Sequence, residues 1–289
     1  MTGLGAVFRP QLPPERLRAV VQLADATGLE ELWLWEDCFR EGGISAAAAA
    51  LAWSEQVRVG VGLLPVPLRN VAITAMEVAT LDRLFPGRAI LGVGHGVQDW
   101  MGQVGARVES PVTLLREHLD ALRALLRGER LTTDGRYVKL DDVALDWPPT
   151  GPVEILAGAT GPRTLRLAGA AADGTILTAS TAPDGVRRAR QLIDEGRESA
   201  GRTEPHKVVV YLLTATGPDA ATRLRAELAE EGLESVPDLG VAGDADTVAK
   251  AVHRLAEAGA DTVILQPTGD EPDPEAFVRF AAEVRALVP

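Results

Sequence analysis

Three observations predict an α/β protein of the (β/α)8 TIM barrel class. Eight short apolar runs alternate with amphipathic helical segments from one end of the chain to the other. The runs are rich in valine, leucine, isoleucine and glycine with few polar interruptions, as strands buried on both faces of a parallel sheet are. The 289 residues contain no Pro/Ser-rich linker and suit the ~250 residues that one such barrel occupies, so residues 1–289 are expected to form a single domain. An open doubly wound sheet is the competing arrangement of the same units.

The units follow in order. Residues 4–8 open the first, and the helix after them starts at Pro13-Pro14-Glu15, carries Leu17, Val20, Val21 and Ala24 on one face and stops at Gly28. The second joins the run 31–35 to an alanine-rich helix over 44–53. In the third, residues 57–64 alternate valine with glycine, and Asn70 caps a helix whose Val71, Met76, Ala79, Leu81 and Leu84 are expected to face inward until Pro86-Gly87 ends it. The fourth strand, 89–93, leads through Ser110-Pro111 to a strongly periodic helix that Gly128 stops, with His118 on or beside its apolar stripe as a core or flank histidine. A small hairpin over 132–138, turning at Asp134-Gly135, precedes the fifth strand, 153–157, and a helix containing Leu165 and Leu167. Residues 174–177 and 207–214 are the sixth and seventh strands, with helices over 183–200 and 218–231. A second helix, 245–258, follows the polar stretch 232–239. Strand 262–265 and a helix over 274–287, with Phe277, Phe280, Val284 and Leu287 inward, close the set.

Composition removes several function classes. The net charge of -12 argues against nucleic acid or an anionic membrane as partner, because both select basic surfaces. No apolar stretch reaches the length of a bilayer span and no signal-like segment opens the chain, so the expected location is the cytoplasm. The lone Cys38 excludes an internal disulfide, and the four histidines show no ligand spacing, so no metal site is expected. A small-molecule substrate is the expected partner, and homodimerisation is left open.

In barrels the site lies at the C-terminal ends of the strands, so the residues to weigh follow each apolar run directly. The densest such stretch is residues 87–105, where Gly92, Gly94 and Gly96 stand at every second position with His95 between the last two. Glycines there let backbone approach a flat ligand closely, or simply turn the chain. His95 either exchanges protons near neutral pH or hydrogen-bonds backbone. After the fifth strand, Gly158-Ala159-Thr160-Gly161-Pro162 places flexible backbone and a hydroxyl before a helix with proline in its first turn. Free N–H groups and the positive helix end then converge on one spot, as a phosphate site or as a plain helix cap, and Arg163 could add charge. Cys38 is a small buried filler or a nucleophile, and Trp35 and Trp100 wall a ligand or merely pack.

With these positions aligned, the sequence resembles the bacterial luciferase-like family of flavin and deazaflavin oxidoreductases. The resemblance rests on Gly28-Leu29-Glu30-Glu31-Leu32-Trp33, on Leu64-Pro65-Val66-Pro67-Leu68-Arg69-Asn70 and above all on Gly87-Arg88-Ala89-Ile90-Leu91-Gly92-Val93-Gly94-His95-Gly96, with Ala172-Asp173-Gly174 and Ala258-Gly259-Ala260-Asp261 as commoner pieces. It implies a barrel that binds coenzyme F420 or, alternatively, FMN, with the ring near the strand ends, the tail phosphate at a later loop and hydride chemistry at the ring. It further implies a bulge after the third strand, carrying a non-proline cis peptide behind the ring, at Gly62-Leu63, where ordinary strand termination is the alternative. The cofactor-binding residues are then Gly62, Leu63, Gly94, Gly96, Gly158, Ala159, Thr160 and Gly161, and the catalytic candidates His95 and Asp37.

Two departures narrow the activity. Related F420-dependent dehydrogenases often show Asp-His after the second strand and Gly-x-Gly-Glu after the fourth, whereas this chain reads Asp37-Cys38 and Gly94-His95-Gly96-Val97. Oxidation of alcohols or sugar phosphates by that machinery is therefore disfavoured. The leading expectation is an F420-dependent oxidoreductase acting on an unidentified organic substrate. An FMN-dependent monooxygenase and a non-catalytic cofactor-binding barrel are the alternatives.

Overall fold

The computed structural model describes residues 2–288. Its barrel strands are β1 (Gly3–Val7), β2 (Glu31–Leu34), β3 (Arg58–Pro65), β4 (Ala89–Gly94), β7 (Ile155–Gly158), β8 (Gly174–Leu177), β9 (Lys207–Ala215) and β11 (Thr262–Pro267). All pair in parallel in that order, and β11 returns to β1, so the sheet is closed. Two antiparallel strands, β5 (Leu131–Asp134) and β6 (Lys139–Val143), form the side hairpin. A short β10 (Gly240–Ala242), not foreseen between the polar stretch 232–239 and the helix after it, pairs in parallel with the end of β9.

The helices are α1 (Leu17–Thr27), α2 (Gly43–Ala52), α3 (Val71–Leu84), α4 (Gln98–Gln103), α5 (Pro111–Leu126), α6 (Pro162–Ala171), α7 (Pro183–Ser199), α8 (Ala220–Glu230), α9 (Ala245–Glu257) and α10 (Pro274–Leu287). Their ends obey local chemistry. Gly28 takes a left-handed φ of 73° after α1, and Asn70 accepts from the Ala72 N–H at the start of α3. The expected inward face of α3 is corrected: Met76 and Leu84 are exposed, while Thr74, Ala75 and Val78 are buried. Leu287 likewise ends up outside. Among the described residues, no helix is long and apolar enough to cross a membrane.

Two apolar clusters result. The larger lies between strands and helices, and the smaller fills the barrel with Val7, Trp33, Ile90, Leu156, Ile176, Val209, Tyr211 and Ile264. Strand periodicity of two explains the inner set: Glu31, Trp33 and Trp35 share one parity on β2 and its exit, as do Lys207, Val209 and Tyr211 on β9. At the N-terminal end, buried Glu31 accepts from Trp33 Nε1 (2.8 Å), Arg58 (2.9 Å) and Lys207 (3.4 Å). The valine-glycine alternation of β3 has the same cause. Gly60 and Gly62 point inward, where a Cβ would overlap the Trp33 ring and the Tyr211 hydroxyl.

His118 on α5 is 1% exposed, its Nε2 has no partner, and burial together with nearby Arg69 lowers its pKa to about 4. A histidine kept neutral in the fold favours folding fully above its unfolded pKa of ~6.5 and loses that contribution as pH falls towards 4. His118→Leu is therefore expected to remove roughly 2–3 kcal/mol of the stability loss between pH 6.5 and 4. Urea unfolding at both pH values, compared with wild type, checks this.

Candidate active site

A cleft of about 620 Å3 opens at the C-terminal ends of the strands. A second hollow, about 710 Å3, lies at the opposite end beside Arg123, Pro152 and Pro205. There Arg123 is paired with Asp173, and no strand C-terminus reaches it.

The floor of the cleft depends on a bulge in β3. Register against β4 shifts between Val61 and Leu64, which throws Leu63 over the barrel mouth. Glycine around it makes room: a Cβ on Gly94 would sit 2.6 Å from Leu63 Cδ2, and one on Gly158 would overlap the same methyl. These two glycines thus accommodate a side chain of the protein itself. Gly96 differs, with a left-handed φ of 66° that glycine adopts without penalty. The Gly62–Leu63 peptide is trans, unlike the arrangement the resemblance implied there, and a non-proline cis bond falls at Cys38–Phe39 in the loop after β2. Tyr211 donates to the Gly62 carbonyl (3.3 Å) and packs edge-on against Trp33 and Trp35, and burial raises its pKa.

One end of the cleft lies over β7 and β8. Ala159 and Thr160 lead into α6, whose N-cap, Gly161, offers no side-chain acceptor. Pro162 has no N–H, so the N–H groups of Arg163 and Thr164 are the ones that face outward there. Thr160, Thr178 and Ser180 line the same end, the last two hydrogen-bonded to each other at 2.8 Å. Arg163 stands exposed on the first turn. His95 Nε2 lies 3.2 Å from the buried Thr164 hydroxyl, while its Nδ1 has no partner. Burial lowers the His95 pKa against the opposing pull of the Pro111 backbone, which favours the neutral ring.

In barrel order, β1 and β2 face β7 and β8 across the mouth. Arg9, Gln11, Trp35, Glu36 and Asp37 line that far end, with Gln266 from β11 and Glu231 from the end of α8. Arg9 pairs with Glu227 (3.0 Å), donates to the Pro267 carbonyl (3.2 Å) and lies 5.2 Å from the centre of the Trp35 ring. Arg69 grips Glu36 through two bonds, of 3.1 and 2.8 Å, and pairs with Glu77. Glu36 also accepts from the Gly43 N–H (2.8 Å). The exits of β2 and β3 are thereby tied to the starts of α2 and α3. Burial raises the pKa of Asp37 against the pull of Arg40 and Arg9.

Of the residues singled out from the sequence, Gly62, Leu63, His95, Gly96, Gly158, Ala159, Thr160 and Asp37 share the cleft wall. Gly94 is buried beneath Leu63, and Gly161 stands just behind the wall at the head of α6. His95 and Asp37 arise from different strands, and the contact of His95 is with α6. Cys38 is half-buried, and burial raises its thiol pKa further from reactivity at neutral pH. Tyr211 and Thr164 were missed; only inward parity on the seventh strand could have pointed to the tyrosine.

The fold is a (β/α)8 barrel whose main cleft crosses the mouth between the β1–β2 and β7–β8 ends, with the start of α6, free of a side-chain cap, beside the latter. The chain belongs to the luciferase-like monooxygenase family, whose model matches residues 3–233, and its curated relatives are oxidoreductases. It is 32% identical over 247 residues to 5,10-methylenetetrahydromethanopterin reductase of Methanolobus tindarius, covering 84% of this chain and 73% of that one. It is 33% identical over 210 residues to an F420-dependent glucose-6-phosphate dehydrogenase of Kineococcus radiotolerans, covering 67% and 61% respectively. A solved F420-dependent secondary alcohol dehydrogenase, in complex with an F420-acetone adduct, superposes over 100% of this chain and 99% of its own with a TM-score of 0.89 at 22% identity.

Proposed function

We infer that this protein is a coenzyme F420-dependent oxidoreductase that moves a hydride between the deazaflavin and an organic substrate. The observation that carries the reading is the uncapped start of α6 at one end of a cleft floored by apolar side chains, in a chain whose relatives bear F420-dependent names. The residues fit such a group. Gly161 leaves the first-turn N–H groups free of a side-chain cap, and Thr160, Thr178 and Ser180 line the same end of the cleft. When bound, F420 supplies a ring carbon that accepts or releases hydride.

The protein's own part is placement and proton handling. The α6 N–H groups would hold the cofactor phosphate, and Leu63, Ile176 and Tyr211 would support the ring from below. Val97 and Trp100 line the cleft on the β4 side, where they would shield a bound ring from water. His95, joined to Thr164, would fix the first turn of α6 against the β4 exit. Asp37 is the group on the far wall that would take or return the proton accompanying hydride transfer.

His95→Gln is expected to weaken F420 binding about tenfold, through misplacement of the ring, and to leave any pH dependence near neutrality unchanged. Fluorescence titration with F420 and single-turnover rates across pH check this. Loss of rate and of a pH dependence near 7, with affinity kept, would make His95 a proton carrier instead.

A further inference from the structure

The two ends of the cleft differ in electrostatic character. At the β7–β8 end stand the positive start of α6, three hydroxyl groups and Arg163, which is free of ion pairs among the described residues. At the β1–β2 end, the guanidinium on the cleft wall is already engaged, Arg9 by Glu227 (3.0 Å), with side chains 9% and 11% exposed, and behind the wall Arg69 is held by Glu36 and Glu77. Arg40 lies outside the cleft wall and donates to the Pro10 carbonyl (3.1 Å). That leaves the carboxylates of Asp37 and Glu231 on the wall, neither in an ion pair among the described residues, beside the neutral amides of Gln11 and Gln266.

We propose that the β1–β2 end of the cleft rejects anionic groups, so that the second ligand presents an uncharged or cationic group there and not a phosphate or carboxylate, with Asp37 and Glu231 setting this selectivity. A phosphate entering that end would meet the half-buried Asp37 and the exposed Glu231, two carboxylates without an ion-pair partner among the described residues, and like charges a few ångström apart repel. Arg9 and Arg40 pull on Asp37 from beyond ion-pair distance, but Arg9 can pair with an incoming anion only by abandoning Glu227, which would leave that carboxylate buried without its ion pair. The inference rests on the proposed function only in taking this end as the place where the second ligand sits.

Trp35 reports on the potential directly. In the full chain with Trp53, Trp100 and Trp147 replaced by phenylalanine, Trp35 is the quenchable fluorophore, since Trp33 is fully buried. Caesium is expected to quench it at least fivefold better than iodide, each scaled to a free tryptophan amide. The pair D37N and E231Q is expected to raise the iodide constant about threefold, whereas E55Q with E129Q, the same charge change at the other end of the barrel, should not. Iodide matching caesium, a control pair as effective as the cleft pair, or no quenching by caesium would each overturn the proposal. Failure to bind F420 would sink the cofactor reading and leave this result standing.

Discussion

Gly161→Asp is expected to keep or slightly raise stability while lowering F420 affinity by about a hundredfold. Gly161 is the N-cap of α6, with φ −85° and ψ 152°, a conformation open to any residue, and no atom lies within 4 Å of where its Cβ would be. Aspartate is among the best N-caps, and replacing glycine with it strengthens a helix by a few tenths of a kcal/mol or more. Its carboxylate would take the N–H groups of Arg163 and Thr164. Those are the donors assigned to the cofactor phosphate, so the ligand would lose its hydrogen bonds and face a fixed negative charge. Loss of both together is worth about 3 kcal/mol, near a hundredfold. Urea unfolding and F420 titration of the same preparation separate the two signs. A variant that binds F420 as wild type does would remove α6 from the site.

Arg69→Leu is expected to cost about 3 kcal/mol in stability at pH 7. The guanidinium, 16% exposed, is shared by Glu36 and Glu77, whose side chains are 13% and 29% exposed. Removing one partner of a buried ion pair costs about 3–5 kcal/mol because it strands the other charge, and partial access of Glu77 to water sets the lower end. The penalty should shrink as pH falls and protonation removes the stranded charges. Arg69→Lys, which keeps the charge but not the fork, should recover part of the loss. Equal urea midpoints for Arg69→Leu and wild type at pH 7 would show that the network carries no net weight.

The eight strands were legible because alternating apolar runs and capped helices are local signals, and the site rule for barrels then pointed to the exits of β2, β3, β4 and β7. The reason for the glycines was not legible. Gly94 and Gly158 make room for Leu63, a contact set by a bulge between distant residues, and the glycines of β3 yield to Trp33 and Tyr211. His95 stood out through its flanking glycines, but its partner Thr164 lies 69 residues away on another unit, beyond the reach of spacing arguments. The same holds for the tie of Arg69 to Glu36, where the motif was visible and its contacts were not. Met76 and Leu84 misled because hydrophobicity marks burial in one direction only, and a partly exposed apolar residue breaks no rule.

The most direct measurement is the absorbance spectrum of the purified protein titrated in parallel with F420 and with FMN. Saturable binding of F420, weakened at least tenfold by Gly161→Asp and accompanied by weaker or no saturation with FMN, is the predicted result. Tight FMN binding with no spectral change on adding F420 would contradict the cofactor assignment on which the proposed hydride transfer depends.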